Sequence, residues 1–114
     1  MKADLVRVHH MLDATSEVLE FSADKTRLDL DNDRMLCLSL VHLLEIIGEA
    51  AVAVSSEFRE KYPQIPWSGI VGMRNRLIHG YYDINLDIVW KTVKEDIPPL
   101  KVELEKIIEY EGFL

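Results

Sequence analysis

Apolar residues recur along most of this chain with the spacing of an α-helix. Within residues 3–22 the apolar positions that share this spacing are Leu5, Val8, Leu12, Val18 and Leu19. The charged residues of the segment fall largely between them, as on a helix that packs one face on a core. The pattern predicts an amphipathic helix over residues 3–22.

Residues 33–54 predict a second and more apolar helix. Fifteen of the 20 residues from 35 to 54 are apolar, and they cover more than one side of the helix. Such a helix packs on more than one partner, so we expect contacts with its own bundle and with a second subunit. His42, Glu45 and Glu49 interrupt the run and argue against a membrane span.

Turn and cap residues divide the next part of the chain. The polar stretch 22–33 predicts a connection or a frayed helix start, and SSEFREKY, residues 55–62, predicts a short helix with a serine cap. Pro66 suits the first position of the following helix, which carries Gly69 and Gly72. Those two glycines would let another helix approach closely, at some cost in helix propensity.

The last part of the chain predicts two further helices. Gly80 suits a helix C-cap, and Asn85 suits the cap of a helix over residues 86–97. Pro98 and Pro99 are predicted to break that helix, and apolar residues mark a last one: Leu100, Leu104, Ile107 and Ile108. Since no segment alternates as a strand does, we expect an all-α fold, an up-and-down bundle of four to six helices.

The composition predicts a single globular domain over residues 1–114. Apolar residues make up 48% of the chain and charged residues 29%, which is typical of a folded protein. The one cysteine, Cys37, lies in an apolar run, which predicts a buried, reduced thiol. The N-terminus lacks the apolar stretch of a secretory leader, so we expect a cytoplasmic protein.

The charge is unevenly distributed along the chain. The net charge of −7 by itself argues against a nucleic-acid-binding protein, since such proteins usually carry a basic surface. Residues 4–33 hold eight acidic and three basic residues, whereas residues 61–82 hold three basic residues and no acidic one. That locally basic segment contains the stretch RNRLIHGY, residues 74–81, where the candidate chemistry lies.

RNRLIHGY places an arginine and a histidine at the end of a predicted helix. The planar guanidinium of Arg74 suits phosphate oxygens, and His79 can transfer protons near neutral pH. Together they are enough to cleave RNA without a metal ion, the histidine by moving a proton and the arginine by stabilising charge on the phosphoryl group. The alternative is a histidine that only complements the helix dipole.

Arg74 and His79 are five residues apart, which corresponds to about 140° around a regular helix. Two side chains at that offset do not easily reach one atom. Either the helix end is distorted, or the site is shared across the two-fold axis of a dimer.

A metal site is the other chemical candidate. His42, Glu45 and Glu49 lie on one face of the second predicted helix, but a metal centre in a bundle needs matching ligands on other helices. None stand out beyond His9, His10 and Asp13. We therefore expect no metal and no cofactor, and we assign Glu49 to the surroundings of the basic motif.

The signature Arg74-x4-His79-x-Tyr81 resembles that of the HepT-like proteins of the HEPN superfamily. The block IPWSGIVGMRNRLIHGYYDINLDIVW, residues 65–90, is similar to the central block of that family. IIGEA, residues 46–50, resembles its second-helix motif, and the helical pattern is compatible along nearly the whole chain.

This resemblance implies a homodimer with the motif in a cleft between subunits. HepT-like proteins are metal-independent ribonuclease toxins of type VII toxin–antitoxin pairs. The usual partner is the MntA antitoxin, a minimal nucleotidyltransferase that uses ATP and Mg²⁺ to transfer AMP to the motif tyrosine. By this resemblance Arg74 and His79 are the catalytic pair that acts on RNA, Tyr81 is the AMP acceptor, and Asn75 takes the polar position after the arginine.

Two other hypotheses remain open at this point. The chain could be a non-catalytic subunit that presents nucleotide or substrate to a nucleotidyltransferase, or a plain helical dimer whose motif only caps a helix. The position of Tyr81 favours the ribonuclease, because a regulatory target should lie beside the chemistry that it silences.

Overall fold

The fold is an all-helical bundle. A computed structural model describes residues 2–80 and 82–112, and these residues contain no β-strand. The helices are α1 Lys2–Ser22, α2 Arg27–Asn32, α3 Arg34–Ala53, α4 Ser56–Lys61, α5 Trp67–His79, α6 Leu86–Lys91 and α7 Ile97–Glu111, with a π-helical segment, Thr92–Asp96, between the last two. Since α6, the π segment and α7 run on without a break, the described residues form six continuous helical rods, within the range of four to six helices that the sequence predicted.

Helix α3 lies at the centre of the bundle. It packs against α1 and α5, and α1 also packs against α7. The apolar stripe predicted on the first helix is buried at Val8 and Val18, and it meets Leu40 and Leu44 of α3 in one core. By length and composition α3 could cross a membrane, but half of that window is buried inside the bundle, as in the core helix of a helical domain.

Helices α4 and α6 begin at side-chain caps, as the sequence predicted. The side chains of Ser55 and Asn85 accept hydrogen bonds from the first turns of α4 and α6. The buried carboxylate of Asp4 adds a long-range contact, because it accepts the backbone N–H of Ser55 at 2.8 Å and its hydroxyl at 2.9 Å. These bonds join the start of α1 to the start of α4.

The predicted break at Pro98 and Pro99 is wrong. A proline lacks the N–H that a helix needs and crowds the carbonyl four residues back. Here the chain widens into the π segment just before the two prolines, and the N–H of Ile97 donates to the carbonyl of Thr92, five residues back. Pro98 and Pro99 then occupy the first turn of α7, where no N–H is required, and the helix continues.

Candidate active site

A glycine on α3 brings helix α5 close to it. A Cβ atom built on Gly48 would lie 2.1 Å from the Cβ of Arg74 and 2.7 Å from its Cγ, so any larger residue there would overlap the arginine. Gly69 and Gly72, where the sequence suggested a close helix approach, meet no atom within 4 Å. Within one chain the close approach therefore occurs at Gly48, a residue to which sequence reasoning assigned no role.

Arg74 is held by two polar neighbours at this contact. Its Nε donates to Oε1 of Glu49 at 2.7 Å, and its Nη2 forms an ion pair with the same oxygen. Its Nη1 donates to Oδ1 of Asn75 at 2.8 Å. The side chain of Arg74 is 25% exposed and that of Glu49 is 53% exposed, so the guanidinium lies at the protein surface and can reach a ligand. Three of the predicted site residues thus meet in one cluster.

His79 lies apart from this cluster. It is the last residue of α5 and is exposed, and the helix ends at Gly80, whose N–H donates to the carbonyl of Arg76 at 2.9 Å. In the described part of the chain no hydrogen bond or ion pair joins His79 to Arg74. The two residues therefore keep the offset of about 140° that a regular helix gives them, because the helix end does not fold the histidine back onto the arginine.

The predicted AMP acceptor, Tyr81, lies outside the described residues. Its neighbour Tyr82 is described and is 81% exposed. Tyr82 therefore presents its side chain to solvent two residues after Gly80, the C-cap of α5.

A cavity lies on another side of α5. It has a volume of about 520 Å³ and lies between α5 and the rod formed by α6, the π segment and α7. Its walls include Ile70, Met73 and Pro99. Of the three basic residues in the segment 61–82, only Arg76 lines it. The chemistry-bearing residues Arg74 and His79 do not line it, so we do not assign the reaction to this cavity.

The candidate metal ligands of α3 lie within the described ranges 2–80 and 82–112. No three His, Cys, Asp or Glu side chains are grouped there as ligands of one ion. Glu49 instead directs a carboxylate oxygen to Arg74.

The chain is similar along most of its length to proteins named as ribonucleases. A family model described as "Ribonuclease HepT-like" matches residues 11–107. The Methanocaldococcus jannaschii protein named "Putative RNase MJ1380" is 41% identical over 98 residues, which cover 86% of this chain and 90% of that protein.

Two further relatives come from other organisms. "Putative RNase TTE0752" of Caldanaerobacter subterraneus subsp. tengcongensis is 36% identical over 111 residues, covering 97% of this chain and 99% of that protein. "Probable ribonuclease HepT" of Thermococcus cleftensis is 38% identical over 95 residues, covering 83% and 86%. No solved structure gave a significant match.

Proposed function

The chain belongs to the HepT-like ribonuclease family, and we propose that it is a metal-independent endoribonuclease that cuts RNA with Arg74 and His79. The observation that carries this proposal is the surface-exposed guanidinium of Arg74, which Glu49 and Asn75 hold on the helix that ends in an exposed histidine. An oriented arginine and a titratable imidazole are the two groups that phosphodiester cleavage needs.

In the proposed reaction the 2′-oxygen of the RNA attacks the adjacent phosphorus, and the bond from phosphorus to the 5′-oxygen breaks. His79 either takes the proton of the attacking hydroxyl or gives a proton to the leaving oxygen, and water accepts or supplies the proton at the other end. The products are a 2′,3′-cyclic phosphate and a 5′-hydroxyl. Arg74 donates hydrogen bonds to the phosphoryl oxygens, where negative charge increases in the transition state. No redox step or co-reactant is required.

A homodimer would complete this site. Arg74 and His79 point to different sides of α5, so a second copy related by a two-fold axis would supply the missing member of each pair. Two features leave room for such a copy: open space at Gly72 of α5 and exposed apolar side chains on α3, Met35 at 80% and Leu38 at 52%. Light scattering at micromolar concentration should give twice the mass of the chain, and a monomer would contradict the proposal.

The proposed biological role is that of a cytoplasmic toxin controlled by a nucleotidyltransferase antitoxin of the MntA type. Tyr81, two residues after His79, is the proposed AMP acceptor. In the proposed dimer, a phosphate added there would carry negative charge into the shared cleft and would compete with RNA for Arg74. Peptide mass spectrometry after incubation with partner, ATP and Mg²⁺ should locate AMP on Tyr81. AMP on Tyr82 alone would contradict this assignment.

The test of the ribonuclease itself is cleavage of a labelled RNA by Arg74→Ala and His79→Ala. Each should lose about 10²–10⁴ in rate, the usual effect of removing a charge-stabilising or proton-transferring group. Helical content should stay unchanged, because neither residue is in the buried core. Cleavage by the unaltered protein should persist in EDTA.

Arg76→Ala is the matched control. Arg76 is an exposed arginine on the same helix that lines the cavity away from the cluster, so its removal should change the rate only slightly. Full activity of both Arg74→Ala and His79→Ala, or loss of all cleavage in EDTA, would overturn the proposal.

A further inference from the structure

We propose that Glu49 is the positioning residue for Arg74: it fixes one edge of the guanidinium so that the opposite edge faces the phosphate of the RNA. This inference rests on the proposed function, in which Arg74 binds the scissile phosphate. It adds a role for an acidic side chain in a site that must attract an anion.

The geometry of the hydrogen bonds carries the inference. A guanidinium has five N–H groups in one plane. Within the described residues, Nε and Nη2 of Arg74 use two of them on a single oxygen of Glu49, and Nη1 uses a third on Asn75. Two N–H groups remain, one on each terminal nitrogen, and both can be donated to phosphate oxygens.

The backbone beside Glu49 fixes the other end of the same side chain. Gly48 is the next residue toward the N-terminus, and its missing Cβ leaves the space that the Cβ and Cγ of Arg74 occupy. Two consecutive residues of α3 thus hold the base and the tip of one long side chain. An unrestrained arginine samples many rotamers, and small displacements of a catalytic group reduce the rate strongly.

A competing role for Glu49 makes a different prediction. A carboxylate that merely occupies the arginine would be displaced by RNA, so its removal would strengthen RNA binding and leave the chemical step unchanged. A positioning carboxylate affects the chemical step instead. Removing it should lower kcat by about 10–100-fold, while KM stays the same or falls because one negative charge has left the site.

The experiment compares kcat and KM of Glu49→Ala, Glu49→Gln and Glu45→Gln on one RNA substrate. Glu49→Gln keeps an oxygen within reach of Nε and should lose less kcat than Glu49→Ala. Glu45→Gln is the matched control, because Glu45 lies one turn earlier on the same face of α3 and has the same charge. It should change KM slightly and leave kcat as it is.

The outcomes separate this inference from the function on which it rests. If Arg74→Ala cleaves RNA as well as the unaltered protein, the proposed function itself fails. If Arg74→Ala is inactive but Glu49→Ala keeps its kcat, the positioning role is overturned while the function stands. A lower KM with unchanged kcat in Glu49→Ala would likewise overturn it, in favour of the competing role. If Glu49→Ala does not fold, the same criteria apply to Glu49→Gln.

Discussion

The two ends of helix α5 are held in different ways. At its start, Trp67 is buried and its indole Nε1 donates to the carbonyl of Tyr62 at 3.0 Å. Near its end, Asn75 and His79 are exposed, and Arg74 is tied to α3 by the carboxylate of Glu49. Apolar packing of Trp67 fixes the start of the helix. Leu77 is buried near the end, but there it is polar contacts at the surface that orient Arg74.

Along this one helix, residues at the buried start contribute mainly to stability, whereas exposed polar residues near the end carry the proposed chemistry. A group that binds phosphate or transfers a proton must reach solvent, so it cannot be fixed by burial in the core. The buried start of α5 sets the direction of the helix, and the contact at Gly48 and Glu49 orients the arginine two turns later. Substitutions at the two ends should therefore affect different measurements.

The largest effect on stability is expected for Trp67→Ala. Loss of a buried tryptophan typically reduces the free energy of unfolding by about 3–5 kcal/mol, and here the bond to Tyr62 is lost as well. Urea denaturation should show a lower midpoint. The matched variant at the other end, His79→Ala, should change the free energy of unfolding by less than about 0.5 kcal/mol, because that side chain is exposed. Equal losses at both positions would contradict the comparison.

Gly48→Ala should affect both stability and activity. The new methyl group would lie 2.1 Å from the Cβ of Arg74, so α5 must shift away from α3. Overpacking of this kind reduces the free energy of unfolding by about 1–3 kcal/mol, and the displaced arginine should also lower kcat. Thermal melting and RNA cleavage at a temperature where the variant is folded measure the two effects.

Gly69→Ala is the control for this substitution. No atom lies within 4 Å of a Cβ at Gly69, and alanine favours a helix over glycine by up to about 1 kcal/mol. This variant should be as stable as the unaltered protein or more so. A loss in Gly69→Ala as large as in Gly48→Ala would show that glycine at both sites serves the backbone and not the contact with Arg74.

Sequence periodicity predicted the helices well. The predicted segments 3–22 and 33–54 agree with α1 and α3 to within one residue at each end, and the family prediction is confirmed. Helix length and caps depend on neighbouring residues, which a sequence displays directly. The continuity through Pro98 and Pro99 was missed because a π turn is a local adjustment with no residue signature of its own.

The candidate site was only partly predictable. Arg74 and His79 were identified from their chemical character. Because they lie apart on α5, the second subunit that would bring an arginine and a histidine together remains a prediction. The pairing of Glu49 with Arg74 joins residues 25 apart in the chain, and the space at Gly48 exists only because α5 crosses α3 at that residue. Such contacts depend on how helices pack, which spacing within one helix does not specify.

An effect smaller than those of Trp67→Ala and Gly48→Ala, and the sharpest test of the buried end, is expected for Tyr62→Phe. The Tyr62 hydroxyl donates to the carboxylate of Glu111 at the end of α7, and Lys61 also pairs with that carboxylate at 2.9 Å. At pH 7 the loss of this bond should reduce the free energy of unfolding by about 0.5–1.5 kcal/mol. Arg74 and Glu49 are not involved, so kcat should stay unchanged.

The pH dependence of this variant has a definite sign. Burial, and then the bond to Glu111, raise the pKa of the Tyr62 phenol well above its ordinary value. A group whose pKa is raised by folding contributes stability below its unfolded pKa, near 10, and loses that contribution as the pH rises toward the folded value. The advantage of the unaltered protein over Tyr62→Phe should thus shrink above about pH 10, by up to about 1.4 kcal/mol per pH unit.

Urea denaturation of both proteins at pH 7 and pH 11 measures this difference, and the other tyrosines cancel because both proteins carry them. We expect the unaltered protein to be the more stable at pH 7 and the two to be equal, or reversed in order, at pH 11. A difference that stays constant between the two pH values would mean that the phenol of Tyr62 ionises as it does in the unfolded chain. In that case the bond to Glu111 would not help to hold the segment from which α5 begins, and the contrast between the two ends of the helix would depend on Trp67 alone.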